Sequence, residues 1–304
     1  MTRLTPRGNL LLGLAALVLA SMPFWAEPYH MQLASIALVA AMFALSLQIL
    51  VGAAGLVSLA QAGFFGIGAY TVYLFGGRVS IFISLPGSLF AAAVAAAAIG
   101  PLVLRTRGFY FLMASLAFGQ MLFFLFHDTS LGGGADGVFI TRPTMIWPVS
   151  RSARPAVFLL LNLASLSLMY LGLWWLMGTM FGHALAGIKI NEDRMRALGH
   201  DVQRLKLAAF ILSGALAGLA GHMAAVTDAF VSPELLDWHH SAEALLMILL
   251  GGIGALHGPI LGAFALTLVR EIGQSVTERQ RLVEGVVILA AVLLLRRGLA
   301  GWRR

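Results

Sequence analysis

Apolar runs of about 17–25 residues, each long enough to cross a bilayer core of ~30 Å as a helix, follow one another along nearly the whole chain. Ten helical spans are predicted, at about Leu10–Ala20, Leu33–Val51, 52–77, Ile81–Leu104, Phe109–Phe126, Val157–Met177, Leu207–Thr227, Ala242–Ala255, Pro259–Arg270 and Leu282–Leu295. The eighth and ninth are short and are separated by GGIGALHGPILG. Two longer polar passages interrupt the series, about His127–Pro155 and Phe181–Leu207. An outer-membrane barrel would show ~10-residue segments of alternating polarity, and the chain has none. The fold class is therefore all-α, a polytopic helical membrane protein forming one transmembrane domain over 1–304. Its first segment resembles a signal peptide but lacks a small-x-small cleavage site and precedes many more spans. It reads as a retained helix.

Composition sharpens this picture. Hydrophobic residues make up 60% of the chain and charged residues only 11%, against roughly a quarter charged in soluble domains. The net charge of +7 does not indicate a nucleic-acid partner, because the basic residues lie at segment ends rather than in one aromatic-interleaved patch. They orient the chain instead. With the N-terminus inside, thirteen of the twenty basic residues fall on cytoplasmic segments, as the positive-inside rule asks. Both termini and the 181–207 passage are then cytoplasmic, and 127–155 is an outer loop. Cysteine is absent, so neither a disulfide framework nor a thiolate metal site is available.

Few motifs carry chemistry. GGGADG at 132–137 fits the dinucleotide spacing G-x-G-x-x-G, but no strand–helix unit surrounds it, and a tight outer turn is the expected structure. No G-x-x-x-x-G-K-[ST] occurs, and neither lysine follows a glycine, so ATP hydrolysis would have to come from another chain. No G-x-S-x-G nucleophile elbow is visible. His239, His240 and Glu243 lack the third partner of a metal site. His222 is read as an interhelical hydrogen-bond partner, and Glu243 and Glu271 as span-end residues that snorkel. Gly214/Gly218 and Gly254/Gly258/Gly262 repeat every four residues and are expected to make flat packing stripes, with a turn at Pro259. The 52–77 stretch holds Gly52, Gly55, Ser58, Gln61, Gly63, Gly66 and Gly68. Close helix packing and a broken helix lining a pathway are both open for it.

Six motifs together resemble one family. They are GLVSLAQAGFFGIGAY at 55–70, RTRGFYFLMASLAFGQ at 105–120, GGGADG at 132–137, GHALAGIKINEDRMRALGHDVQRLKL at 182–207, LLGGIGALHGPILGA at 249–263 and RRGLAGW at 296–302. In this order they are similar to the membrane subunits of branched-chain amino-acid ABC importers, the LivM-type permeases. The resemblance implies a type II importer-like permease in the bacterial inner membrane, paired with a LivH-type second permease. Two cytoplasmic ATPase subunits, which hydrolyse the ATP, and a periplasmic solute-binding protein complete the assembly, and no cofactor or metal is bound by this chain. Asn191, Glu192, Asp193, Ala197, Leu198 and Gly199 match the family's ATPase-coupling loop. His183 and Gly187–Ile190 depart from its usual pattern.

The residues agree with that implication without requiring it. Ile190 to Gly199 reads as a short amphipathic helix with Met195 and Leu198 at helical spacing, stopped by Gly199. Docking on a partner, resting on lipid and a merely solvated loop are the alternatives. Ser58, Gln61 and Gln120 are the candidate pathway polar groups. The cargo is a branched-chain amino acid or, as elsewhere in the wider family, urea, an amide or an aromatic acid. An ion-coupled secondary transporter and a membrane-embedded enzyme are the rival functions.

Overall fold

A computed structural model describes residues 6–75, 80–129, 132–140 and 154–276, together with 285, 298 and 299. The tenth span apart from Gly285, most of the 296–302 motif and about half of the 127–155 loop lie outside the described residues. The helices are α1 (Pro6–Ser21), α2 (Pro28–Gln48, continued as a π-helical segment to Ala54), α3 (Gln61–Leu74), α4 (Ile81–Val103), α5 (Phe109–His127), α6 (Arg154–Met177), α7 (Met180–Ile190), α8 (Glu192–Ala197), α9 (Val202–Asp228), α10 (Trp238–Gly251) and α11 (Gly258–Val276). Among the described residues, five helices are long and apolar enough to cross a membrane: α2 with its extension, α4, α5, α6 and α9. The strands are two-residue pieces, β1 (Val138–Phe139) and β2 (Phe230–Val231), paired antiparallel. GGGADG folds as the tight turn leading into β1, with Gly133, Gly134 and Gly137 at positive φ.

Two expected spans are corrected. The 52–77 stretch does not cross as one helix. Its first residues end α2, Gly55 turns the chain at φ +71°, 56–60 are irregular, and α3 has only 14 residues. Segment 242–255 is likewise replaced by a 14-residue α10. At 1.5 Å per residue each reaches about 21 Å, short of the ~30 Å core. The backbone groups freed by the first break find partners inside the protein, which is what permits irregular chain at membrane depth. Ser115 Oγ accepts from Leu59 N–H, and Ser241 Oγ donates to Leu59 O and accepts from Ala62 N–H.

The order long helix, break, 14-residue helix, long helix thus occurs twice, as α2–α3–α4 and as α9–α10–α11. The two copies run in opposite senses. Gln61 at the start of α3 meets Ser213, about 17 Å along α9, and Gly68 lies against Gly218 further along. So α3 runs from mid-depth away from the α8 end. From its contact with the same break at Ser241, α10 runs the other way, and the turn after it bonds Gln48 near the end of α2. This is the inverted arrangement of discontinuous helices known from transporters.

Glycine lets α3, α4 and α9 approach closely. A Cβ on Gly221 would sit 1.8 Å from Phe65 O, and one on Gly218 would sit 2.4 Å from the Ala92 Cβ. Gly258 and Gly262 serve the α10–α11 contact in the same way, whereas Gly254 lies in the intervening turn with open space around its Cβ position. His222 is buried and lies 3.4 Å from Ser84 Oγ across the α4–α9 contact.

Candidate functional site: a tethered surface helix and a buried polar knot

The polar passage 181–207 folds as α7, α8 and the first turns of α9. Leu185 and Ile188 anchor α7 in the core, and Gly182 packs directly on the Met177 backbone. Asn191 is extended and breaks the helix. Its side chain accepts from Arg194 N–H and so caps α8, while Gly199 at φ +85° ends the turn that follows. Asp201 caps α9 in the same way through Arg204 N–H.

Glu192 is the node of this region. It is held by Lys206 of α9 at 2.7 Å, by Arg196 one turn on, and at 3.8 Å by Arg107 of the α4–α5 turn. Burial pushes its carboxyl up, but Lys206 through hydrogen bond and charge, with Arg107 and Arg196, outweighs this and leaves it below the ordinary carboxylate range. Met195 packs onto Gly187, so α8 is also fixed to α7. Lys189, near the end of α7, donates to the carbonyls of Gly52 at 3.0 Å and Val51 at 3.4 Å. These lie at the carboxyl end of α2, where backbone acceptors are free and the helix dipole favours a cation. Beside Lys189 a cavity of about 340 Å³ separates the ends of α2, α6 and α7 from the α10–α11 turn, with Tyr170, Trp174 and His257 on its wall.

The six residues matched to a coupling loop therefore divide. Asn191 and Gly199 shape α8, Glu192 faces the body of the protein, and Asp193, Ala197 and Leu198 are exposed. Leu198 and Ile190 leave 68% and 83% of their surface uncovered, an apolar pair flanking the polar helix α8. Lys189, Lys206, Arg107 and Ile190 were not singled out in the sequence as functional. The signal was present for the two lysines, the only two in the chain, both in one passage.

The candidate pathway groups also divide. Ser58 and Gln61 are fully buried. Gln61 Nε2 lies 2.9 Å from Ser46 Oγ, Ser213 O and Ser213 Oγ, joining α2, α3 and α9. Gln120 is half-buried on α5 and donates to Asp237 Oδ1 at 3.1 Å. His239 pairs with Asp237, and Glu243 with His240 and Arg270. Among the described residues no three metal-ligating side chains converge.

Residues 29–295 match the family described as branched-chain amino acid transport system / permease component. This chain belongs to that family. It is 32% identical to the high-affinity branched-chain amino acid transport system permease protein LivM of Escherichia coli K12, over 94% of this chain and 73% of that one. The Salmonella typhimurium LivM is 31% identical over the same shares. An autoinducer 2 import system permease protein LsrC, from an Enterobacter species, is 32% identical over 45% of this chain and 40% of its own length. No solved structure matches significantly. The family's helical permease fold and the all-α reading of the sequence agree.

Proposed function

We propose that the chain is a membrane-spanning subunit of an ATP-driven importer of branched-chain amino acids in the bacterial inner membrane. It forms the pathway with a LivH-type second permease and receives solute from a periplasmic binding protein. Two cytoplasmic ATPases supply the energy, since the chain has no phosphate-binding loop of its own. The tethered helix α8 carries this reading. Asp193 and Ala197 on α8, with Ile190 and Leu198 flanking it, offer a mixed apolar and charged contact, and the inward ties of α7–α8 reach three other parts of the bundle. Glu192 joins α8 to α9 and the α4–α5 turn, and Lys189 joins α7 to α2. A helix that merely solvated a loop would need none of these ties. Movement of the ATPases would thereby rock the long helices, with the breaks before α3 and α10 as the flexible points.

Co-purification tests the proposal. A tagged chain extracted in mild detergent should recover a second permease and ATPase subunits, and the reconstituted complex should take up leucine, isoleucine or valine only with ATP and binding protein. Recovery of a homodimer without ATPase, or uptake driven by an ion gradient alone, would overturn it. The cargo is read from competition among unlabelled amino acids, urea and amides.

A further inference from the structure

Gln120, Asp237 and His239 form a polar cluster that the buried knot does not absorb. Gln120 Nε2 lies 3.1 Å from Asp237 Oδ1, and His239 Nδ1 lies 2.7 Å from Asp237 Oδ2. Two independent measures place the cluster at membrane depth. Gln120 is the twelfth of the 19 residues of α5, about 17 Å from its start. Asp237 stands at the N-cap position of α10, one turn before Ser241, which bonds the break beside Gln61 and so lies level with the middle of α9. Yet the cluster is not buried within the chain. The Asp237 side chain is 32% exposed and that of His239 is 69% exposed, while the adjacent Trp238 shows 37% of its surface.

Hydrocarbon cannot solvate such a surface, and ionisable groups at this depth face protein or a water-filled cavity. We propose that Asp237, with Gln120, His239 and Trp238, lines the aqueous pathway and receives the ammonium group of a zwitterionic solute on its way through. The carboxylate has lone pairs left after its two side-chain bonds, and an ammonium brings three donors and no acceptor. Among the described residues its ion-pair partner is His239, and no lysine or arginine neutralises it. The indole of Trp238 lies against the His239 imidazole, ring centroids 4.0 Å apart, and borders the same open surface. The class of solute rests on the importer reading above; the wetness of the cluster does not.

The absence of native cysteine makes the wetness directly measurable. Gln120→Cys and His239→Cys, each alone in the chain in membrane vesicles, should react with a membrane-impermeant thiol reagent. Phe90→Cys on α4 and Leu168→Cys on α6, exposed but apolar sites within spans, should not react. Equal labelling of all four positions, or of neither polar position in any nucleotide state, overturns the proposal. In the reconstituted complex, Asp237→Asn should lower uptake of a branched-chain amino acid at limiting concentration by about tenfold or more, the loss of one charge-assisted hydrogen bond. ATP hydrolysis and affinity for the binding protein should be unchanged, and Asp237→Glu should recover part of the uptake. Unaltered uptake by Asp237→Asn overturns the ammonium role. A complex without ATPase defeats the importer reading instead, and leaves the labelling result readable.

Discussion

Glu192 shows how one side chain changes meaning between sequence and structure. In the sequence it belongs to a charged passage and faces a partner by analogy. In the fold it turns inward to Lys206 and Arg107, and Asp193, Ala197 and Leu198 are left as the outward face. Because its folded pKa is depressed, its contribution is fully present above the ordinary carboxylate value and is lost as pH falls through the lower, folded one. Hydrogen exchange of α8 amides, corrected for intrinsic rate, should therefore lose protection on acidification from neutrality through the carboxylate range. Glu192→Gln should show weaker protection at neutral pH and little pH dependence. The charges of α8 were legible in the sequence. Their directions were not, because a six-residue helix has no face until something packs on it.

At the scale of elements, the contact of α3 with α9 rests on missing side chains. Gly68, Gly218 and Gly221 let backbones meet where lipid gives no hydrophobic drive and packing must hold the helices together. Gly221→Ala places a methyl on Phe65 O, and overpacking of this kind costs about 1–3 kcal/mol or more. It should lower the thermal midpoint of the purified chain clearly, by fluorescence-detected size exclusion. Gly254→Ala, with open space around it, should shift the midpoint little. The four-residue glycine spacings predicted both as packing stripes; only the structure puts Gly254 in a turn. Of the two readings left open for the glycine-rich 52–77 stretch, close packing and a broken helix are both seen. Gly63, Gly66 and Gly68 serve packing, while Gly55 serves the break.

Across the whole molecule, the consequential link is Lys189, which ties the surface element α7–α8 to the end of α2, one of the most buried helices. In the assembled importer, Lys189→Met should keep ATP hydrolysis while lowering solute moved per ATP several-fold. Lys189→Arg, which can still donate to both carbonyls, should retain most of the ratio. Parallel measurement of phosphate release and uptake in proteoliposomes checks this. An unchanged ratio in Lys189→Met would remove the tether from the coupling route.

Read alone, the sequence shows a helical membrane protein, the approximate ends of its long described helices, and the family to which it belongs. These follow from local quantities: length of apolar run, charge at segment ends, and motifs in order. The tertiary structure decided that two of the segments cross only part of the membrane, in opposite senses, and that Gln61 is a buried knot while Gln120 meets Asp237 on an open surface. A 14-residue apolar helix reads alike whether it completes a crossing or stops midway. What distinguishes the two is where its freed backbone groups find partners, and those partners, Ser115 and Ser241, lie more than fifty residues away in the chain.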